Sequence, residues 1–242
     1  MSHLLELENV TRVFGGLTAV NDLTFHLDQG EVVGLIGPNG AGKTTTFNLI
    51  SGADKPSSGT VRFKGAVVSG LKAHQVCMRG LTRTFQVVQP FPDMTALENV
   101  MVGAFARYRS RQAAEEKAHA VLERIGMQRK AAALGRDLTL LELKRLEIGK
   151  ALATEPELLL LDEVAAGLTP VEIDDILDLV RKLNSEGMSL LVVEHVMKVI
   201  MSLSDRIVVL NFGLKIAEGT PKEIASHRAV LDAYLGEEGY VA

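Results

Sequence analysis

The chain reads Gly37-Pro38-Asn39-Gly40-Ala41-Gly42-Lys43-Thr44 near its start, which fits the pattern G-x-x-x-x-G-K-[ST]. An apolar run precedes this stretch and a helical pattern follows it, the context that a phosphate-binding loop requires. The glycines let successive backbone N–H groups curl around phosphate oxygens, and the next helix adds the positive end of its dipole. Lys43 is predicted to reach the β and γ phosphates of a nucleotide, and the Thr44 hydroxyl to reach Mg²⁺. We expect the nucleotide to contact the loop from Gly37 through Thr45.

Four short apolar runs predict the core around this loop. Runs of this length without alternation are typical of strands covered on both faces, as in the parallel sheets of α/β proteins. They are Val32–Ile36, 158–161, Ser189–Val193 and 206–210. The sequence therefore predicts an α/β fold with a parallel core sheet flanked by helices.

Two further regions are predicted to differ from this core. Residues 94–153 lack strand-like runs and show helical spacing, so we expect an inserted helical subdomain over 93–153 within a core formed by 1–92 and 154–242. Alternating apolar residues near the N-terminus predict an antiparallel layer against the core. They are Leu5, Leu7, Val10, Val20, Leu23 and Phe25.

A helix is predicted between Thr169 and Gly187, because Thr169, Pro170 and Glu172 form a capping box with proline in the first turn.

Polar groups follow two of the predicted core strands, at the sheet edge where α/β proteins bind ligands. Asp162 and Glu163 end the run that begins at residue 158, and His195 follows the run that ends at Val193. We expect Asp162 to hold Mg²⁺ through water and Glu163 to polarise the water that attacks the γ phosphate. His195 is predicted to face the same phosphate.

The composition argues against a nucleic-acid ligand, a membrane-spanning segment and an intramolecular disulfide. The formal net charge of −4 over 242 residues gives no electrostatic reason to expect nucleic acid as a ligand. No apolar run approaches the roughly 18 residues that are needed to span a bilayer, so a membrane role would need another chain. The single cysteine, Cys77, excludes an intramolecular disulfide.

Taken together, these motifs resemble the ATPases of ABC transporters over essentially the full chain. The resemblance also rests on Phe14 before Gly15-Gly16, on Gln86 in Arg83-Thr84-Phe85-Gln86, and on Glu194-His195. It implies a P-loop NTPase of ABC type that uses ATP and Mg²⁺. It further implies that Phe14 stacks on adenine, that Gln86 links the γ phosphate and the metal to the helical subdomain, and that His195 is the switch histidine.

A closer resemblance is to the ATPase subunits of branched-chain amino acid importers. The segments that carry it are Phe14 to Asn21, Arg83 to Gln86, Leu146-Glu147-Ile148 and Glu194 to Lys198. It implies membrane permease subunits, a second ATPase subunit that is identical or a paralogue, an indirect solute-binding protein, and a peripheral place on the cytoplasmic face of the inner membrane. Importers of urea or short amides, the lipopolysaccharide-export ATPase and a nucleotide-dependent regulator that is not a transporter remain alternatives.

One segment departs from the family. The signature Leu-Ser-Gly-Gly-Gln aligns with Leu138-Thr139-Leu140-Leu141-Glu142. In the family this segment opens a helix and binds the γ phosphate that the opposite subunit holds. Thr139 keeps a hydroxyl, but leucines replace both glycines and a carboxylate replaces the amide, so this half of a composite site is expected to be weaker. Val164 and Thr169 also replace the usual proline and aspartate.

Overall fold

A computed structural model describes residues 3–85 and 88–238 of the chain. Its strands are β1 (Leu5–Phe14), β2 (Leu17–Leu27), β3 (Val32–Ile36), β4 (Ser58–Phe63), β5 (Ala66–Val67), β6 (Leu81–Arg83), β7 (Leu158–Asp162), β8 (Ser189–Val193), β9 (Arg206–Asn211) and β10 (Leu214–Gly219). Its α-helices are α1 (Lys43–Ser51), α2 (Ala73–Met78), α3 (Ala96–Ala104), α4 (Arg111–Arg124), α5 (Leu140–Leu152), α6 (Pro170–Ser185), α7 (Met197–Leu203), α8 (Pro221–Ser226) and α9 (Arg228–Glu238). Within the described ranges, no helix is both long and apolar enough to cross a membrane.

The core sheet has the strand order β10-β9-β3-β8-β7-β6. Strands β9, β3, β8, β7 and β6 pair in parallel, and β10 adds an antiparallel edge. All five residues of β3, of β7 and of β8 are buried, as expected for strands covered on both faces. The predicted parallel sheet is therefore confirmed.

Successive residues of the core strands enter two different hydrophobic cores. On β3, Val33 and Leu35 join one core, whereas Val32 and Ile36 join the other. The first core includes α1 and a second sheet, of strand order β2-β1-β4-β5, which is the predicted antiparallel layer. The other core includes α3 to α7. The central sheet thus separates the N-terminal layer and α1 from helices α3 to α7.

The chain between β6 and β7 contains α3, α4, α5 and two short 3-10 helices, but no strand among its described residues. The residues that predicted this helical insertion are buried, namely Ala114, Ala118, Val121, Leu122 and Ile125. Helices α3 and α5 approach closely at Gly103, where a Cβ atom would lie 2.2 Å from the Lys150 carbonyl oxygen. The insertion is confirmed as an element of the fold, and its division from the core at residues 92–93 and 153–154 stays a prediction.

Candidate functional site

The glycine-rich loop joins β3 to α1 in a backbone path that only glycine fits at two points. Gly37 has a φ of +155° and Gly42 a φ of +104°. A Cβ atom at Gly37 would lie 2.1 Å from the Leu210 carbonyl oxygen, and one at Gly42 would lie 2.5 Å from the Ala19 carbonyl oxygen. The loop is therefore held closely between β9 of the core sheet and β2 of the antiparallel sheet.

Lys43 is the first residue of α1, and its side chain is buried inside the loop. Its Nζ donates to the carbonyl oxygens of Gly37 at 2.7 Å and of Pro38 at 2.9 Å. The ammonium group thus lies against the loop backbone at the N-terminus of α1, which is the positive end of the helix dipole. This arrangement is suited to an anion such as a phosphate chain.

A cleft of about 610 Å³ opens beside this loop. Its lining residues come from both sheets and from α1, and they are Phe14, Leu17, Thr18, Ala19, Asn39, Gly40, Ala41, Gly42, Lys43, Thr44, Thr45, Glu163, His195 and Phe212. The cleft therefore brings together most of the residues that the sequence predicts for the nucleotide. Gln86, which is also predicted to act here, lies outside the described residues.

Two aromatic side chains stand on the wall of the cleft. Phe14, at the end of β1, is 44% exposed, and the Arg12 guanidinium carbon lies 4.4 Å from its ring centroid. Phe212, in the turn between β9 and β10, is 84% exposed and has a φ of +46°. The family resemblance implied a role for Phe14, whereas Phe212 was not predicted. An aromatic turn residue directly after a core strand is a usable signal, because ligands bind at that edge of the sheet.

Glu163 and His195 meet across the ends of two neighbouring strands. His195 Nε2 lies 2.7 Å from Glu163 Oε1. Because β7 and β8 are parallel and pair Asp162 with Val193, the residues that follow them emerge at the same edge of the sheet. The cleft thus holds a carboxylate that is hydrogen-bonded to an imidazole and lies beside the glycine-rich loop, which is an arrangement that can accept a proton from water.

The Glu163 backbone has a left-handed conformation, with a φ of +50°. Its N–H donates to the Val193 carbonyl oxygen at 2.9 Å, and its own carbonyl oxygen accepts from Lys144 Nζ at 2.8 Å. Lys144 comes from α5 in the helical insertion and is only 5% exposed. Burial lowers the pKa of Lys144, and the negative charges of nearby carboxylates partly offset this shift. Sequence reasoning did not identify Lys144, because no motif position links it to the β7 strand end.

Glu194 places a buried carboxylate close to Glu163. Glu194 follows β8, and its Oε1 accepts a hydrogen bond from the Ala165 N–H at 2.8 Å. Burial raises the pKa of Glu194 above its ordinary value. The side chain thus fixes the turn after Glu163 from the neighbouring strand.

Asp162 lies at the end of β7, as predicted, but its carboxylate faces a partner that sequence reasoning did not propose. Asp162 Oδ2 accepts from a terminal nitrogen of Arg83 at 2.7 Å, and both side chains are largely buried. Arg83 ends β6 and also donates to the Asn48 amide oxygen of α1. This pair connects the edge strand β6, the end of β7 and the helix α1 that follows the glycine-rich loop.

The chemistry of the donors fits Mg²⁺, which prefers oxygen ligands and keeps several waters. Thr44 offers an exposed hydroxyl at the start of α1, and Asp162 offers a carboxylate at the end of β7. Because Asp162 is already paired with Arg83, it fits contact with the ion through water, as the sequence suggested. The metal roles of Thr44, Asp162 and Gln86 stay predictions.

The altered signature forms a regular helix start. Thr139 is the N-cap of α5, its N–H donates to Glu142 Oε2 at 2.9 Å, and the Glu142 N–H donates to Thr139 Oγ1. Glu142 Oε1 also forms an ion pair with Lys130 at 3.0 Å. Leu140 is 40% exposed. The carboxylate that replaces the family's amide is therefore used within the chain, to cap α5.

The sequence profile described as "ABC transporter" matches residues 20–166, which include the glycine-rich loop, the insertion and the Asp162-Glu163 strand end. The chain belongs to the ABC transporter family. A second profile, described as "Branched-chain amino acid ATP-binding cassette transporter", matches residues 215–240 of this ABC transporter chain.

Curated relatives match this ABC transporter chain over nearly all of their length. The high-affinity branched-chain amino acid transport ATP-binding protein BraF of Pseudomonas aeruginosa is 42% identical over 97% of the chain and 98% of its own length. The corresponding LivG protein of Escherichia coli is 40% identical over the same shares. The lipopolysaccharide export system ATP-binding protein LptB of Haemophilus influenzae is more distant, at 32% identity, again over 97% of the chain and 98% of its own length.

Solved structures share the fold. An ATP-binding cassette of an ABC transporter in its ADP conformation has a TM-score of 0.89 and 30% identity, covering 98% of this chain and 100% of its own. A dimeric cassette in a post-hydrolysis state bound to ADP and Pi has a TM-score of 0.79 and 28% identity, covering 90% of this chain and 98% of its own. These structures confirm the ABC ATPase cassette fold.

Proposed function

We propose that this chain binds and hydrolyses ATP as the motor subunit of an importer for branched-chain amino acids. The observation that carries the hydrolytic part is the contact of 2.7 Å between His195 and Glu163 in the cleft that Lys43 also lines. The transported solute is inferred from the relatives at 40–42% identity and from the match of the C-terminal segment.

Each residue has one task in this proposal. The loop N–H groups and Lys43 bind the β and γ phosphates, and Phe14 stacks on the adenine ring. Glu163 accepts a proton from the attacking water, while His195 holds the Glu163 carboxylate and marks the γ position. Mg²⁺, held through Thr44, Asp162 and Gln86, supplies positive charge to the β and γ phosphates when it is bound.

The partners follow from the same proposal. Two ATPase subunits close on two ATP molecules, and membrane permease subunits receive the motion, with a solute-binding protein as an indirect partner. A similar cassette that is dimeric with ADP and Pi supports the pairing. The chain is then a peripheral protein on the cytoplasmic face of the inner membrane.

Reconstitution of the transporter in vesicles tests the solute. The chain is assembled with its permeases, its second ATPase and its solute-binding protein, and ATP-dependent uptake of labelled leucine, urea and acetamide is measured. We expect leucine uptake that Glu163→Gln in this chain abolishes. Uptake of urea or acetamide without leucine would contradict the solute, and ATP-dependent release of lipopolysaccharide without any uptake would contradict import.

A further inference from the structure

Helix α5 of the helical insertion reaches the proposed general base directly. The Lys144 ammonium donates to the Glu163 carbonyl oxygen at 2.8 Å. The Lys144 side chain is buried between α5 and the end of β7, so this contact spans the junction of the insertion and the core sheet. None of the motifs that assign the nucleotide site includes this lysine.

The contact falls on a peptide that needs support. Glu163 has a φ of +50°, a left-handed conformation that is uncommon for a residue other than glycine, asparagine or aspartate. Such a conformation persists only where the surroundings fix it. The surroundings here are the Val193 carbonyl oxygen, which accepts from the Glu163 N–H, and the groups that donate to the Glu163 carbonyl oxygen, Lys144 at 2.8 Å and the Ala166 N–H at 3.2 Å.

Burial of an ammonium group costs free energy of desolvation, which packing alone does not recover. A buried lysine is therefore stable only where nearby negative charges offset that cost. The carboxylates whose charges offset the burial of Lys144 are those of Glu194, Glu163, Asp162 and Glu147. Three of these carboxylates, and the carbonyl oxygen of Glu163 that accepts from Lys144, lie at the ends of β7 and β8, where the proposed hydrolytic residues are. An apolar side chain would supply neither the charge nor the hydrogen bond to Glu163.

We propose that Lys144 is a positioning residue that fixes the direction of the Glu163 carboxylate and makes it depend on the placement of α5. Because α5 begins at the altered signature, which would meet the opposite subunit in the proposed dimer, the same helix also aligns the general base of its own subunit. This inference rests on the proposed role of Glu163 in hydrolysis.

The test compares Lys144→Met with Lys150→Met in the full-length chain assembled in its transporter. Lys150 is a matched control, because it lies on the same helix and also donates to a backbone carbonyl, that of Gln89 at 2.7 Å, and to a carboxylate, that of Glu147. Lys144→Met is expected to lower kcat for ATP hydrolysis on the order of 100-fold, as misplacement of a reacting group does, with the Kd for ATP unchanged. Lys150→Met is expected to leave kcat near the wild-type value.

A double variant distinguishes positioning from a general structural role. In the Glu163→Gln background, Lys144→Met should cause no further loss of the residual rate, because residues that act as a unit are not additive. The inference is overturned if the two losses multiply, if Lys144→Met behaves like Lys150→Met, or if ATP affinity falls as much as kcat does. If Lys144→Met does not fold, Lys144→Gln is measured with the same outcomes. Near-normal hydrolysis by Glu163→Gln alone would instead refute the proposed function.

Discussion

Asp162 and Glu163 are neighbours in sequence but have different surroundings. The Asp162 carboxylate is buried in an ion pair with Arg83, whereas the Glu163 carboxylate lines the cleft and contacts His195. The backbone turns between them, because Asp162 is the last residue of β7 and Glu163 has a left-handed conformation with a φ of +50°. One carboxylate is thereby held rigidly, and the next is available to the ligand.

Arg83→Met is predicted to destabilise the protein strongly, because it leaves Asp162 as a buried charge without its arginine. Loss of one partner of a buried pair costs about 3–5 kcal/mol. Arg62→Met is a suitable control, because Arg62 and Glu8 form a half-exposed pair at 3.3 Å and such pairs contribute less than about 1 kcal/mol. Urea unfolding measures both free energies, and equal losses would contradict the assigned role of Arg83.

The sequence predicts the residues of this site that belong to a strand end or to a glycine-rich loop, such as Lys43, Glu163 and His195. It does not predict Arg83 or Lys144 as partners of the site. Their contacts join residues 79 and 19 positions apart. Such contacts depend on the order of strands in the sheet and on how the insertion packs, neither of which a local pattern specifies.

The altered signature in α5 favours its own helix. Leucine is a better helix former than glycine by roughly 0.8 kcal/mol. Thr139 and Glu142 form a capping box, a pattern that the family's serine and glutamine also fit, so the gain comes from the two leucines. Under the proposed function, these leucines replace glycines at a place where the backbone would approach the phosphate of the opposite subunit. We therefore expect a more stable helix and a weaker composite site.

Restoring glycine at positions 140 and 141 is therefore predicted to raise hydrolysis by the isolated chain while lowering its stability.

In a complete transporter with a paralogous ATPase, Glu163→Gln in this chain should stop most turnover, and the equivalent change in the partner should cost much less. Steady-state hydrolysis measures both effects. Unchanged activity of the glycine variant, or an isolated chain as fast as the whole transporter, would refute this asymmetry.

The capping box of α6 predicts a pH dependence of stability. Hydrogen bonds from the Thr169 backbone and hydroxyl hold the pKa of Glu172 below its ordinary value of 4.5. A carboxyl with a lowered pKa contributes stability that is present above its unfolded-state pKa and is lost as pH falls through its folded-state pKa. Glu172→Gln should therefore cost more stability at pH 7 than at pH 4, as measured by urea unfolding. Asp174→Asn, at an exposed position of the same helix, is the control, and an equal pH effect in both variants would contradict the prediction.

The central sheet separates two hydrophobic cores, and the residues of the site follow the ends of its strands β3, β7 and β8. The apolar runs predicted β3, β7, β8 and β9 to within one residue at each end. They did not predict β6, because three residues are too few to show a period. Nor did they predict that β9 and β2 both contact the glycine-rich loop, because that contact depends on how the antiparallel sheet packs against the core sheet.

A comparison of ATP binding with ATP hydrolysis in two variants tests whether this cleft binds ATP and hydrolyses it through Glu163. Calorimetry of ATP binding and steady-state hydrolysis are compared for the wild-type chain, for Glu163→Gln and for Lys43→Ala. Glu163→Gln is expected to keep wild-type affinity while hydrolysis falls about 100-fold or more, as loss of a general base causes. Lys43→Ala, which removes the buried ammonium group from the loop, is expected to lose high-affinity binding. Near-normal hydrolysis by Glu163→Gln, or wild-type affinity in Lys43→Ala, would contradict the account.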